Sequence, residues 1–133
     1  REGVLKSLAN TTHEKDDHVW LAINSGAPGQ QGAGLELNRQ IRNDFKIAFP
    51  ILLDEPGKVG RMYDARRTPE MYVINKEGIL VYRGAVDNAP NGRVRGGGEH
   101  VNYIENALKM VRAGETVSPD TTTAYGCTVK YVN

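Results

Sequence analysis

Cysteine is almost absent: Cys127 is the single thiol among 133 residues. That excludes an intrachain disulfide, a Cys-x-x-Cys redox pair and any multi-cysteine zinc site within this sequence. Long apolar runs are also missing, and none approaches the roughly 20 residues that a bilayer-spanning helix needs. Neither sign of charge dominates: 17 Lys and Arg face 16 Asp and Glu, for a net charge of +1. That balance argues against a general nucleic-acid binder, since phosphate neutralisation needs clustered Lys and Arg. The three histidines, His13, His18 and His100, have no metal-ligand spacing and are expected to be solvated surface residues. No internal repeat, low-complexity segment or signal peptide is found. The sequence opens on Arg1 rather than Met, so the expectation is that an N-terminal segment was removed or left out, and the compartment stays open.

What is present is an ordinary globular composition, 39% hydrophobic and 25% charged, in a length that suits one domain with a real core. Residues 1–10, with Val4, Leu5 and Leu8 on one side, read as the end of a helix. Residues 18–24 form a near-continuous apolar run of strand length, the pattern of a strand buried on both faces. A Gly- and Pro-rich loop follows. Residues 35–46 then read as a helix, with Leu37, Ile41 and Phe45 at i, i+4 and i+8. A short strand is predicted over 50–54 and a short helix over 57–64. Two strands flank a Lys76-Glu77-Gly78 turn, the clearest hairpin in the chain. Residues 87–98 form a polar loop ending in three glycines. Residues 99–113 read as an amphipathic helix with Val101, Ile104, Leu108 and Val111 on its stripe, ended by Gly114. Residues 115–133 are an extended tail carrying Cys127. The order predicts an α/β protein with an antiparallel hairpin added to parallel strands.

The segment Arg66-Arg67-Thr68-Pro69-Glu70-Met71-Tyr72-Val73-Ile74-Asn75 says most. Proline cannot donate a ladder hydrogen bond, so Pro69 should stand at a strand's opening rather than in its interior. An X-Pro bond in such a position can be held cis.

These motifs together resemble the thioredoxin-like superfamily, and within it the redoxin, or alkyl hydroperoxide reductase/thiol-specific antioxidant, branch. The likeness is carried by Val19-Trp20-Leu21-Ala22-Ile23-Asn24, Phe49-Pro50-Ile51-Leu52-Leu53-Asp54 and Val59-Gly60-Arg61-Met62-Tyr63. It continues through Thr68-Pro69 with its strand, Leu80-Val81-Tyr82-Arg83-Gly84, Asn102-Tyr103 and Tyr125-Gly126-Cys127-Thr128-Val129-Lys130-Tyr131. It implies a three-layer α/β/α domain over residues 1–114 with a mixed sheet, followed by the 115–133 tail. It also implies that the first strand and the nucleophilic cysteine, at the N-terminus of the first helix where the dipole lowers a thiol pKa, lie upstream of Arg1. The domain is then N-terminally incomplete. A lost central strand leaves buried backbone groups unpaired at about 1–3 kcal/mol each, so the gap should be filled by upstream residues, a partner chain or a rearranged strand.

In that family the backbone before the proline pairs with extended substrate, so the resemblance assigns substrate binding to Arg67, Thr68 and Pro69. A purely structural strand-opening proline is the alternative. Cys127 is a candidate resolving thiol, attacking a sulfenic acid or mixed disulfide at the upstream cysteine. The alternative is a small buried residue packed under the tail. Asp54 and Glu55 read as turn and helix-start carboxylates. Ser25 shows no triad pattern, and residues 92–98 lack the spacing of a phosphate loop.

The function implied is a thiol-disulfide oxidoreductase or thiol peroxidase-like enzyme, acting on a thiol/disulfide protein or a peroxide. An external thiol would be the reductant. No metal, haem or nucleotide cofactor is implied, nor a membrane span. A homo-oligomer or strand exchange is an open option. The alternative function is a redox-inactive binding or scaffold module of the same fold.

Overall fold

The structure is a computed structural model and describes residues 17–133. The helix end expected at 1–10 and His13 lie outside the described residues. The architecture is α/β, in the order β1 (Ala22–Asn24), α1 (Leu35–Asp44), β2 (Ile51–Leu53), α2 (Lys58–Met62), β3 (Arg67–Thr68), β4 (Met71–Ile74), β5 (Leu80–Gly84), α3 (Tyr103–Arg112) and β6 (Cys127–Thr128). A 3-10 turn spans Pro90–Gly92 between β5 and α3. No helix among the described residues is long and apolar enough to cross a membrane. Contacts group the chain into two compact units, one reaching Ala65 and taking in Val129–Asn133, the other Arg66–Thr128. This division differs from the boundary expected at 114. Residues 115–133 contain no helix, yet their backbone bonds build them into the units instead of leaving a separate tail.

In the first unit β1 and β2 run parallel, with Ala22, Ile23 and Asn24 opposite Ile51, Leu52 and Leu53. The ladder is extended by Ala22 N–H to the Pro50 carbonyl (3.0 Å) and Asp54 N–H to the Asn24 carbonyl (2.8 Å). The apolar run at 18–24 is not buried on both faces. Val19, Leu21 and Ile23 are exposed, while Trp20, Ala22 and Asn24 are half-buried. The two-sided burial expected there is corrected to a one-sided pattern with period two. Trp20 packs toward Phe49, with ring centroids 6.0 Å apart.

Helix α1 follows Gly34, whose φ of +99° suits a residue without a side chain. Its predicted stripe is not its buried face: Leu37 and Phe45 are exposed, and Asn38 is the buried residue. Asn38 Nδ2 donates to the carbonyls of Gly34 (2.7 Å) and Gly32 (3.0 Å), and its Oδ1 accepts from Asn24 Nδ2 (3.1 Å). A satisfied amide can occupy such a position, because each of its polar atoms has a partner.

In the second unit β4 and β5 form the antiparallel hairpin, with an irregularity between Val73 and Ile74. Its turn is organised by Asn75, whose Oδ1 accepts from the N–H groups of Glu77 (3.1 Å) and Ile79 (2.9 Å). Gly78 supplies the positive φ, +79°. Residues 120–122 lie on β5 as well: Arg83 N–H donates to Asp120 (2.9 Å) and Thr122 N–H to Arg83 (3.0 Å).

Helix α3 begins later than the expected residue 99. Asn102 is the N-cap, with Oδ1 accepting from Ile104 N–H (3.1 Å) and Glu105 N–H (3.0 Å). Residues 99–101 are held out of the helix by Asn88, which donates to the Glu99 carbonyl (3.0 Å) and accepts from Val101 N–H (2.9 Å). At the other end Gly114 has φ +71°. Gly114 N–H bonds Val111 (3.1 Å) and Glu115 N–H bonds Met110 (2.9 Å), the two bonds of a Schellman stop. The core of this unit comprises Val73, Tyr82, Ala85, Val86, Ala89, Ile104, Ala107 and Val117, while Ala27 and Phe49 are the buried apolar residues described in the first unit. Tyr82 is 1% exposed and stacks on Tyr103 at 6.2 Å.

Candidate functional site

The sequence Arg66-Arg67-Thr68-Pro69-Glu70 folds as a turn gathered around Glu70. Its Oε2 accepts from Arg66 N–H (2.8 Å) and Arg67 N–H (3.3 Å), and its Oε1 pairs with Arg83 Nη2 at 3.1 Å. Burial pushes the Glu70 carboxyl up, but the two backbone donors and Arg83 outweigh it and hold it below its ordinary value. The Thr68–Pro69 peptide bond is cis, as is Ser118–Pro119. Pro69 stands between β3 and β4, interior to neither.

The structure brings Arg67, Thr68 and Cys127 together. β3 and β6 are antiparallel, with Arg67 opposite Thr128 and Thr68 opposite Cys127. Arg67 Nη1 donates to Thr128 Oγ1 at 3.1 Å. Gly126, at φ +128°, packs against the Thr68 carbonyl so closely that a Cβ there would collide with it; Pro69 Cδ lies 3.6 Å from the same point. Arg67, Thr68, Pro69, Cys127 and Thr128 are all exposed. Cys127 is thus an accessible thiol, and the alternative of a buried filler under the tail is set aside.

Upstream of Cys127 the chain is anchored on Asp87. Tyr125 donates its hydroxyl to Asp87 Oδ1, which also accepts from Ala89 N–H (2.9 Å), while Asp87 Oδ2 meets His100 Nε2 at 3.1 Å. Burial raises the Asp87 carboxyl, but Tyr125, Ala89 and His100 more than offset it, leaving it below its ordinary value. His100 is therefore half-exposed and bonded to a buried carboxylate, a partnership its sequence position did not signal. Further along, Thr122 Oγ1 sits 2.6 Å from the Tyr82 hydroxyl, which donates to the Ala85 carbonyl at 2.5 Å. Burial pushes that hydroxyl up to about 12.

In the first unit Ser25 does have an acidic partner. Its Oγ donates to Asp54 Oδ2 at 2.7 Å, and the same oxygen accepts from Gly60 N–H at 2.9 Å. Burial raises the Asp54 carboxyl, and the bonds from Ser25 and the N–H groups of Gly60, Val59 and Lys58 bring it below its ordinary value. This is a carboxylate capping α2, as the turn reading expects, while Glu55 is exposed. Tyr131 covers the same place: its ring lies under Arg61 at 4.7 Å and its hydroxyl donates to the Ala65 carbonyl at 2.7 Å. The His18 side chain, expected to be solvated, is only 14% exposed and lies 2.7 Å from Asp17. Among the described residues no group of three or more His, Cys, Asp or Glu could hold a metal ion.

Glu70, Gly126 and Tyr125 are the residues that sequence reasoning missed as parts of this site. For Glu70 a signal was present, a lone carboxylate set three and four residues after two arginines. Gly126 and Tyr125 carry no local signal beyond membership of the Tyr125-Gly126-Cys127-Thr128-Val129-Lys130-Tyr131 motif.

No protein-family model and no curated protein matches the chain. Solved structures are similar to it, among them the following two. An uncharacterized conserved protein from Geobacillus kaustophilus superposes with a TM-score of 0.81 at 29% identity, over 96% of this chain and 67% of that one. A hypothetical protein from Sinorhizobium meliloti 1021 gives 0.80 at 25% identity, over 96% of this chain and 70% of that one. The α/β arrangement is thus shared with solved proteins over nearly its whole length.

Proposed function

We propose that this chain belongs to a thioredoxin-like thiol oxidoreductase or thiol peroxidase of the redoxin kind, whose nucleophilic cysteine is supplied by residues preceding Arg1. The observation that carries the reading is the juxtaposition of an accessible thiol, Cys127, with the Arg67-Thr68-Pro69 edge. A strand edge recognises extended polypeptide by strand addition, and a thiol held beside it is placed for exchange with a disulfide bound there. Arg67 borders the edge and leans toward Thr128. Strand pairing adds support, since β1 is laddered to β2 alone and β4 to β5 alone among the described residues. A strand added from preceding residues would extend either pair taken by itself.

The chemistry would be attack of the upstream thiolate on a disulfide or peroxide, with resolution by Cys127, a second upstream cysteine or an external thiol. The test is peroxide consumption and insulin-disulfide reduction. The protein carrying the residues ahead of Arg1 is compared with the 133-residue chain and its Cys127→Ser variant. Turnover in the longer protein and none in Cys127→Ser of the shorter one is expected. Turnover in that thiol-free variant contradicts the proposal. A longer protein inert toward both substrates replaces it with a redox-inactive binding module.

A further inference from the structure

The Thr68 edge assigned to an extended substrate is already occupied by the protein's own chain. β6 lies antiparallel on β3 there, with Cys127 opposite Thr68. Three features seat it. Gly126 lacks the side chain that would strike the Thr68 carbonyl. Arg67 Nη1 donates to Thr128 Oγ1 at 3.1 Å. Upstream, the Tyr125–Asp87 bond and the pairing of residues 120–122 with β5 bring the segment to the edge in register.

The two attachments differ in strength. Tyr125 grips a buried carboxylate, and Thr122 bonds the buried Tyr82 hydroxyl. The β3–β6 ladder is two residue pairs long and wholly exposed. Short exposed ladders are where local opening takes least free energy, so Gly126-Cys127-Thr128 can lift while Tyr125 before it and Tyr131 after it stay anchored.

We infer that Gly126-Cys127-Thr128 is an internal strand ligand. It closes the Thr68 edge, and an extended polypeptide reaches that edge only by displacing it. The inference rests on the reading of Thr68 as a substrate edge, and it names the substrate class. That class is an extended peptide with a small residue in the Gly126 place, a sulfur-bearing residue opposite Thr68 and a hydroxyl within reach of Arg67. Because the edge is competent only in the fraction of molecules whose segment is lifted, apparent affinity is reduced by that fraction.

The test uses a fluorescein-labelled Ala-Tyr-Gly-Ser-Thr-Val-Lys peptide, in which serine replaces the thiol so that only non-covalent binding is read by anisotropy. Gly126→Val in the 133-residue chain should dislodge the segment, raising amide exchange at 125–128 and tightening peptide binding by about tenfold or more. Thr68→Cys supplies the opposite arm, since directly opposed positions in an antiparallel ladder lie within disulfide reach. Its oxidised form, bridged to Cys127, should bind no peptide, and dithiothreitol should restore binding. If exchange rises in Gly126→Val but the peptide Kd does not change, Thr68 is not a substrate edge and the underlying reading fails. If exchange does not rise, or the oxidised Thr68→Cys form binds as tightly as the reduced one, the internal strand ligand itself is refuted. Should Gly126→Val lose its circular-dichroism signal, the oxidised and reduced pair decides alone.

Discussion

The two units of this chain are built on opposite principles. The unit Arg66–Thr128 closes around apolar side chains, with Tyr82, Ile104 and Ala107 at its centre and only Ile74, Ile79 and Leu80 as large exposed apolar residues. The unit reaching Ala65 is organised by polar groups instead: Asn38 satisfies a loop, and Asp54 ties Ser25 to the start of α2. Among its described residues Phe49 is buried against a half-buried Trp20, but many of its large apolar residues, including Val19, Leu21, Leu35, Leu37 and Met62, are exposed. Apolar burial is non-directional and scales with area, whereas a polar centre depends on every bond being made. The candidate site stands wholly on the apolar unit, where a rigid hairpin and helix can hold the Thr68 edge in place.

The largest expected effect is at Tyr82. Tyr82→Ala should cost about 3–5 kcal/mol in urea unfolding, because it empties a fully buried aromatic position. Tyr82→Phe should cost about 1–3 kcal/mol, by stripping the hydroxyl from Ala85 and Thr122. Near-equal losses from the two would mean that the polar contacts, not the packing, hold this unit, and the contrast between the units would collapse.

The polar unit is broken differently. Asp54→Ala leaves the Ser25 hydroxyl and the Gly60 N–H without their acceptor, at an expected cost of about 1–3 kcal/mol. The single tryptophan, Trp20, lies in that unit and reports the change by fluorescence. A loss that Asp54→Asn fully restores would sharpen the assignment of Asp54 as a cap rather than a charge.

Acid should act on both units, through carboxyls held below their ordinary values. For Asp54, Glu70 and Asp87 the folded pKa lies under the unfolded one. The stabilisation is thus complete above the unfolded value and is lost as pH falls through the folded one, below the ordinary carboxylate range of about 4. Asp87→Asn should flatten the acid limb of a stability-against-pH curve; an unchanged slope would deny Asp87 its role as the anchor of Tyr125.

The smallest effect is expected where apolar residues face out. Leu21→Ala should change stability by no more than about 0.5 kcal/mol, as exposed positions do. Ile104→Ala in α3, an apolar truncation in the core of the other unit, should cost about 2–5 kcal/mol.

Much of this fold was legible because it is local. The Lys76-Glu77-Gly78 turn, the glycine stop at Gly114 and the opening proline depend on neighbours within a few residues, and the structure has each in place. Helix α3 was misplaced at its start because Asn88, distant in sequence, captures residues 99–101 and leaves the cap to Asn102. The stripe on α1 misled because Asn38 found partners in a loop and in Asn24, which no periodicity reveals. The site was half legible. Thr68-Pro69 and Cys127 each stood out, but their pairing joins opposite ends of the second unit and has no signature in either segment alone. The Tyr125 anchor was hidden for the same reason.

The contrast between the units, and the rigid footing it gives the Thr68 edge, is tested most directly by residue-resolved amide hydrogen exchange on the 133-residue chain. Val73, Tyr82, Ile104 and Ala107 should exchange only through global opening. The amides of β1 and α1 should exchange through cheaper local openings. Equal protection of β1 and the hairpin, or slower exchange in β1, would contradict the account.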